Sequence, residues 1–160
     1  MYSSKASLDA AAEALRRVLE SAPARLNALS EVQANQRPGP GKWSRKQILG
    51  HLLDSAANNH HRFVRAQSEP DFAMPGYVQE SWVDSNRYDA RAWSDLVEFW
   101  SVYNRHVLHV METLPRQFSE RPCRIGNDDP VTLEFLMVDY VGHLEHHLRQ
   151  IVDGGLPASD

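Results

Sequence analysis

Nine positions between Trp93 and Leu114 fall on one face of a single helix. Trp93, Leu96, Val97, Trp100, Asn104, Val107, Leu108, Met111 and Leu114 recur at helical spacing, and Pro115 ends the run. A stripe that long and that apolar reads as core, to be covered by other elements. Its one polar member, Asn104, needs partners if buried, and a polar cavity at mid-bundle would supply them. His106 and His109 fall off the stripe and are expected at the surface. Asp89 is placed to cap the start of this helix.

Three other segments carry the same period. Over 7–30, Leu8, Leu15, Val18, Leu19, Leu26 and Leu29 recur, with Ser7 as the cap and Pro23 expected to bend or break the helix. The run NQRPGPGK at 35–42 is a loop by composition. Ser44 to Gln47 then fits a capping box, opening a helix that runs to about Gln67 with Leu49, Leu52, Leu53, Ala56, Phe63 and Val64 inward. His60 points to that apolar side and reads as a hydrogen-bonded core or interface histidine. The last helix starts near Thr132, ends before Gly154-Gly155, and turns Leu133, Met137, Tyr140, Val141, Leu144, Leu148 and Ile151 to the core. Residues 68–89 form a long connection with a short helix near 79–87; Tyr77, Trp82 and Tyr88 either roof a pocket or cover the open side of the bundle. Residues 116–131 are a second loop, and no segment sustains strand alternation. The expectation is an all-α four-helix bundle, one domain over 1–160, with a long, partly helical connection between the second and third main helices.

Composition narrows the function. At 160 residues and a net charge of −4, with no basic block, the chain lacks the footprint of a nucleic-acid binder. One cysteine, Cys123, rules out an intramolecular disulfide and a Cys-rich zinc site. No apolar run reaches membrane-spanning length and the start lacks a signal-peptide core, so the expected compartment is the cytoplasm. The eight histidines stand out, five of them in two tight clusters.

His143 and His147 stack one turn apart on the flank of the last helix, so both can reach one metal ion. The third ligand candidate is His51, at the edge of the apolar side of the second main helix. Ser55, Asn58 and Arg62 lie within about 40° of His51 on the helical wheel. That seam is either a solvated edge or the wall of a pocket beside a metal. Known bundle metal sites are separable by motif. None of the glutamates has a histidine three residues later, so the di-iron pattern is excluded, and HExxH and HxxEH are absent. Three imidazoles suit Zn(II), Ni(II) or Fe(II) and leave a coordination position open for water, substrate or a thiolate. Asp139, Tyr140 and Gln150 are the nearest candidates for support around the ligands. The plain alternative is a polar, pH-sensitive helix face.

Lys42-Trp43-Ser44, Gly50-His51-Leu52 and the late Tyr-x-x-His-x-x-x-His together resemble the DinB-like (YfiT-like) superfamily over nearly the whole chain. The resemblance implies a four-helix bundle with a Ni(II)- or Zn(II)-binding three-histidine site at His51, His143 and His147, and often a homodimer. His60, Phe63 and Trp100 are candidates for such an interface. It implies a metal-dependent hydrolase acting on a small molecule. The alternatives are a metal-assisted transferase of low-molecular-weight thiols, or a non-enzymatic bundle held together by its metal. In the hydrolase reading, Asn58, Arg62 and Tyr140 contact substrate, with Arg62 suited to a carboxylate. No dedicated base is evident; His146 and Asp139 are the candidates.

Overall fold

The computed structural model describes residues 4–154. Its helices are α1 (Ser4–Asn27), α2 (Glu31–Asn35), α3 (Arg45–Ser68), α4 (Gln79–Asn86), α5 (Trp93–Glu112) and α6 (Leu133–Val152). Three short strands lie in the connections: β1 (Ala73–Met74), β2 (Pro122–Ile125) and β3 (Val131–Thr132). The four long helices α1, α3, α5 and α6 form the bundle. Each of α1 and α3 packs against both α5 and α6. The core between them holds Leu15, Leu26, Leu49, Phe63, Leu96, Trp100, Met137 and Leu144, all fully buried. No described helix is long and apolar enough to cross a membrane.

The local signals account for most boundaries. Ser44 caps α3 through a reciprocal box with Gln47, and the Thr132 hydroxyl accepts from the Phe135 amide at the start of α6. Several expectations need correction. Helix α1 begins at Ser4, so Ser7 lies inside it rather than capping it. It also runs through Pro23 to Asn27. The turn beyond the proline is held by the buried Ala22 and Leu26, and Trp93 Nε1 donates to the Leu26 carbonyl at 2.8 Å. Tertiary contact there outweighs the missing backbone bond. The chain then makes a separate short helix, α2, with its own capping box at Ser30 and Gln33.

Asp89 does not cap α5; it lies in a 3₁₀ turn spanning Tyr88–Ala90, and α5 starts after Ala92 without a side-chain cap from its own flank. The Trp93 amide donates instead to Glu31 Oε2 at 2.9 Å, so α2 caps α5 from a distance. Glu31 also pairs with Lys46, whose side chain is buried. The two connections expected as loops are tied together by a small sheet. Strand β1 pairs in parallel with β2, Ala73 opposite Arg124, and β2 pairs antiparallel with β3, Cys123 opposite Val131. Cys123 is fully buried in it, and burial pushes its thiol up to about 11, away from reactivity. Gly154 ends the described chain in a left-handed turn just past α6, while Gly155 lies outside the described residues.

Asn104 is buried, and its partners come from the bundle helices themselves. Its amide donates to the Trp100 carbonyl at 3.0 Å, and its carbonyl accepts from the Tyr140 hydroxyl. His60 is hydrogen-bonded as expected, to the Tyr103 hydroxyl at 3.0 Å, and His106 and His109 are exposed. Phe63 and Trp100 are both fully buried in the core, which removes them as interface candidates.

Candidate metal centre

Helices α3 and α6 bring three imidazoles together. His51 Nε2 lies 3.1 Å from His143 Nε2. The ring centroids of His51 stand 5.0 Å from His143 and 4.9 Å from His147, and those of His143 and His147 are 4.5 Å apart. One nitrogen from each ring lies within 4.8 Å of the others. A tetrahedral ion with metal–nitrogen bonds near 2.05 Å holds its ligand atoms about 3.3 Å apart. The His51–His143 pair already stands near that spacing, and the nitrogen of His147 lies within 4.8 Å of both.

Burial disfavours protonation of all three rings. Burial, and then the neighbouring histidines, drive the proton affinity of His51 down to about 4. His143 is also lowered to about 4, by burial first and His147 second. His147 is lowered by burial, against the support of Gln150. Among the described residues no carboxylate joins the set. Of two neutral rings meeting Nε2 to Nε2, at most one can donate, so lone pairs are left facing a common point. That is the donor set a divalent ion takes. The outer nitrogen of His147 is fixed: Nδ1 donates to Gln150 Oε1 at 2.8 Å, which leaves Nε2 free to ligate. His51 Nδ1, by contrast, is buried without a hydrogen-bond partner.

The other expected residues fall into three places. His146 is exposed; its Nε2 accepts from Gln150 Nε2 at 3.3 Å, so it braces the residue that orients His147. Asp139 is exposed, one turn before His143, and its charge favours protonation of His143 and the guanidinium of Arg62. Asn58 and Ser55 are buried on the His51 seam, which is thus an interior wall and not a solvated edge. Asn58 Nδ2 donates to the Asp54 carbonyl at 2.9 Å. Arg62 donates through one terminal nitrogen to Asn59 Oδ1 at 3.3 Å, and its Nε is buried and unpartnered. Tyr140 belongs elsewhere: it is buried with its hydroxyl turned to Asn104 of α5 and its ring against Phe63.

A groove of about 660 Å³ runs beside the triad, between the 38–43 turn and α4. Trp43, Ile48, Gln79, Glu80 and Gln150 are among its walls. Two of these touch the site directly: the Trp43 ring sits 5.1 Å from His51, and Gln150 holds His147. Tyr77 packs edge-on against Trp82 at 5.3 Å, both at least partly exposed, whereas Tyr88 is buried.

One residue escaped the sequence reading. Asp54 is buried on α3, and its Oδ1 accepts from the Tyr88 hydroxyl at 2.5 Å and from Asn86 Nδ2 at 3.0 Å. Its wheel position, 60° from His51, put it just outside the polar seam.

The model of the DinB superfamily matches residues 14–151. The chain belongs to the DinB superfamily. It is 28% identical, over 143 residues, to a Bacillus subtilis (strain 168) protein named "Putative metal-dependent hydrolase YfiT"; the match covers 85% of this chain and 79% of that one. Among solved structures it is similar to one described as "YfiT from Bacillus subtilis is a probable metal-dependent hydrolase with an unusual four-helix bundle topology". That likeness has a TM-score of 0.74 at 24% identity and covers 89% of this chain and 84% of the other, and it supports the fold.

Proposed function

We propose that this DinB superfamily member is a metal-dependent hydrolase of a small molecule, with Zn(II) or Ni(II) held by His51, His143 and His147. The observation that carries the reading is the convergence of three buried or half-buried imidazoles with no fourth protein ligand among the described residues. Three protein ligands mark a catalytic rather than a structural site. A divalent ion there supplies a Lewis acid that polarises a substrate oxygen and makes bound water more acidic. The name of the Bacillus subtilis relative supports the same reaction class.

The residues of the chain do the remaining work. Gln150 holds His147 in the ligating tautomer, and His146 holds Gln150. Trp43 packs on His51 and gives the groove an apolar wall against which a small substrate can lie. Arg62 offers an uncommitted, buried Nε to a substrate carboxylate, with Asn58 beside it on the seam.

The deciding experiment is metal content by elemental mass spectrometry of tag-free protein, beside His51→Ala and His143→Ala. The reading expects roughly one Zn or Ni per chain, lost in both variants, followed by ester or amide hydrolysis that chelation abolishes. A protein that neither carries nor takes up metal sinks it. Turnover that requires an added thiol would replace hydrolysis with S-transfer at the same ion.

A further inference from the structure

Asp54 has one oxygen too many for a structural tie. Oδ1 takes both available donors, the Tyr88 hydroxyl and the Asn86 amide, which join α3 to the connection above it. Oδ2 is buried and has no hydrogen-bond partner, in a residue only 2% exposed. Buried polar atoms are rarely left this way, and each exception calls for a reason. The carboxylate cannot simply swing to relieve it. The Tyr88 ring reaches it by packing on Gly50, where a Cβ would overlap the ring, so the plane is held from one side.

The position is close to His51 along α3. Asp54 follows His51 by three residues on α3, a spacing that places Cβ atoms about 5–6 Å apart. It borders the seam of His51, Asn58 and Arg62, on which His51 Nδ1 and Arg62 Nε are likewise buried and unpartnered. The alternatives are poorly placed for taking a proton out of a water-poor site. Asp139 and His146 are both exposed, and His146 already accepts from Gln150.

We propose that Asp54 Oδ2 is the proton acceptor of the site, taking the proton of a nucleophile or acidic ligand held at His51, His143 and His147. The inference rests on the metal-site reading above. In the step, the O–H bond of the ligand breaks, its electron pair stays on the ligand oxygen, and a new O–H bond forms at Oδ2. Oδ1 keeps its two donors throughout. Burial lifts the carboxyl to about 6, a range suited to accepting and returning a proton near neutrality.

Co(II)-substituted protein tests this without a known substrate, because its visible absorption reports ligands at the ion. Acetohydroxamic acid is neutral near neutral pH and ligates as its anion, so its proton must go somewhere; azide brings none. Asp54→Asn is expected to weaken acetohydroxamate by about tenfold or more while leaving azide within about threefold. Calorimetry of the wild-type protein in two buffers of different ionisation enthalpy gives an answer even if the variant fails to fold. Acetohydroxamate binding should release close to no proton, because Asp54 keeps it. Full proton release from the wild type, or unchanged acetohydroxamate affinity in a folded Asp54→Asn, overturns the proposal while the metal site stands. Absence of any Co(II) absorption overturns the metal reading and this inference with it.

Discussion

Gln150 is the side chain whose loss separates a metal centre from a cluster of packed imidazoles. It fixes the tautomer of His147 through a 2.8 Å bond and contributes no ligand of its own. Partners of this kind are worth about 10–100-fold in metal affinity. Gln150→Ala is therefore expected to weaken Zn(II) by that factor in a competition titration, with the melting temperature of the metal-free protein little changed. Equal affinity in variant and wild type would contradict the orienting role. Gly50 makes a prediction about stability instead. Alanine there gains about 1 kcal/mol of helix propensity. Against that, its Cβ would overlap the Tyr88 ring. Overpacking costs about 1–3 kcal/mol, and displacing Tyr88 removes a donor from a buried carboxylate at about 1.5–3 kcal/mol more. Gly50→Ala should lose about 2–4 kcal/mol net in urea unfolding. At this scale the three-histidine cluster was readable, since i,i+4 spacing and a helix edge can be counted from residue types. Asp54 and Tyr140 were not. Which flank of a helix meets its neighbour is decided by packing, and a wheel drawn to 40° around His51 stops short of Asp54.

The long helices declared themselves because cap chemistry and apolar period agree at Ser44 and Thr132. Helix α2 carries an equally good box, Ser30 with Gln33, but it follows α1 so closely that Leu29 extends the spacing of the first stripe. Its role is tertiary. Glu31 reaches the Trp93 amide at the start of α5 and the buried ammonium of Lys46 on α3. No local pattern announces a carboxylate that caps a helix 62 residues further along the chain. The short strands were hidden for a similar reason: pairs of two to four residues have no room to alternate. This arrangement gives Ser30, itself exposed, a role beyond its own turn. Ser30→Ala removes the cap of α2 and loosens the Glu31 contacts that depend on it. The direct loss is about 1 kcal/mol, equivalent to about 2–4 °C in a chain of this size. Ser119→Ala, a change to a serine whose hydroxyl bonds only within its own turn, provides the comparison and should fall short of it. Equal losses would show that α2 does not position its neighbours.

Across the whole molecule, burying the triad and Asp54 side by side ties folding to pH with two opposing signs. His51 and His143 are held near 4 against an unfolded value of 6.5, and His147 is shifted the same way. Unfolding of the metal-free protein therefore takes up protons at these sites, and their contribution to stability, complete above about 6.5, is lost as the pH falls towards 4. Asp54 behaves oppositely. Its carboxyl is raised to about 6 from 3.8, so the folded state holds a proton there that the unfolded chain has released, and its contribution is lost as the pH rises through that window. At pH 5 two or three histidine protons outweigh one carboxyl proton. Stability of the chelator-treated protein should thus rise between pH 4.5 and 6.5, by on the order of 1 kcal/mol per pH unit. The two variants bend that slope in opposite directions. His143→Ala removes part of the histidine contribution and should flatten it, whereas Asp54→Asn removes the opposing carboxyl and should steepen it to roughly twice the wild-type value. Urea titrations at four pH values on the three proteins measure all of this. A steeper slope in His143→Ala or a flatter one in Asp54→Asn would mean that these groups are not buried together as the fold places them.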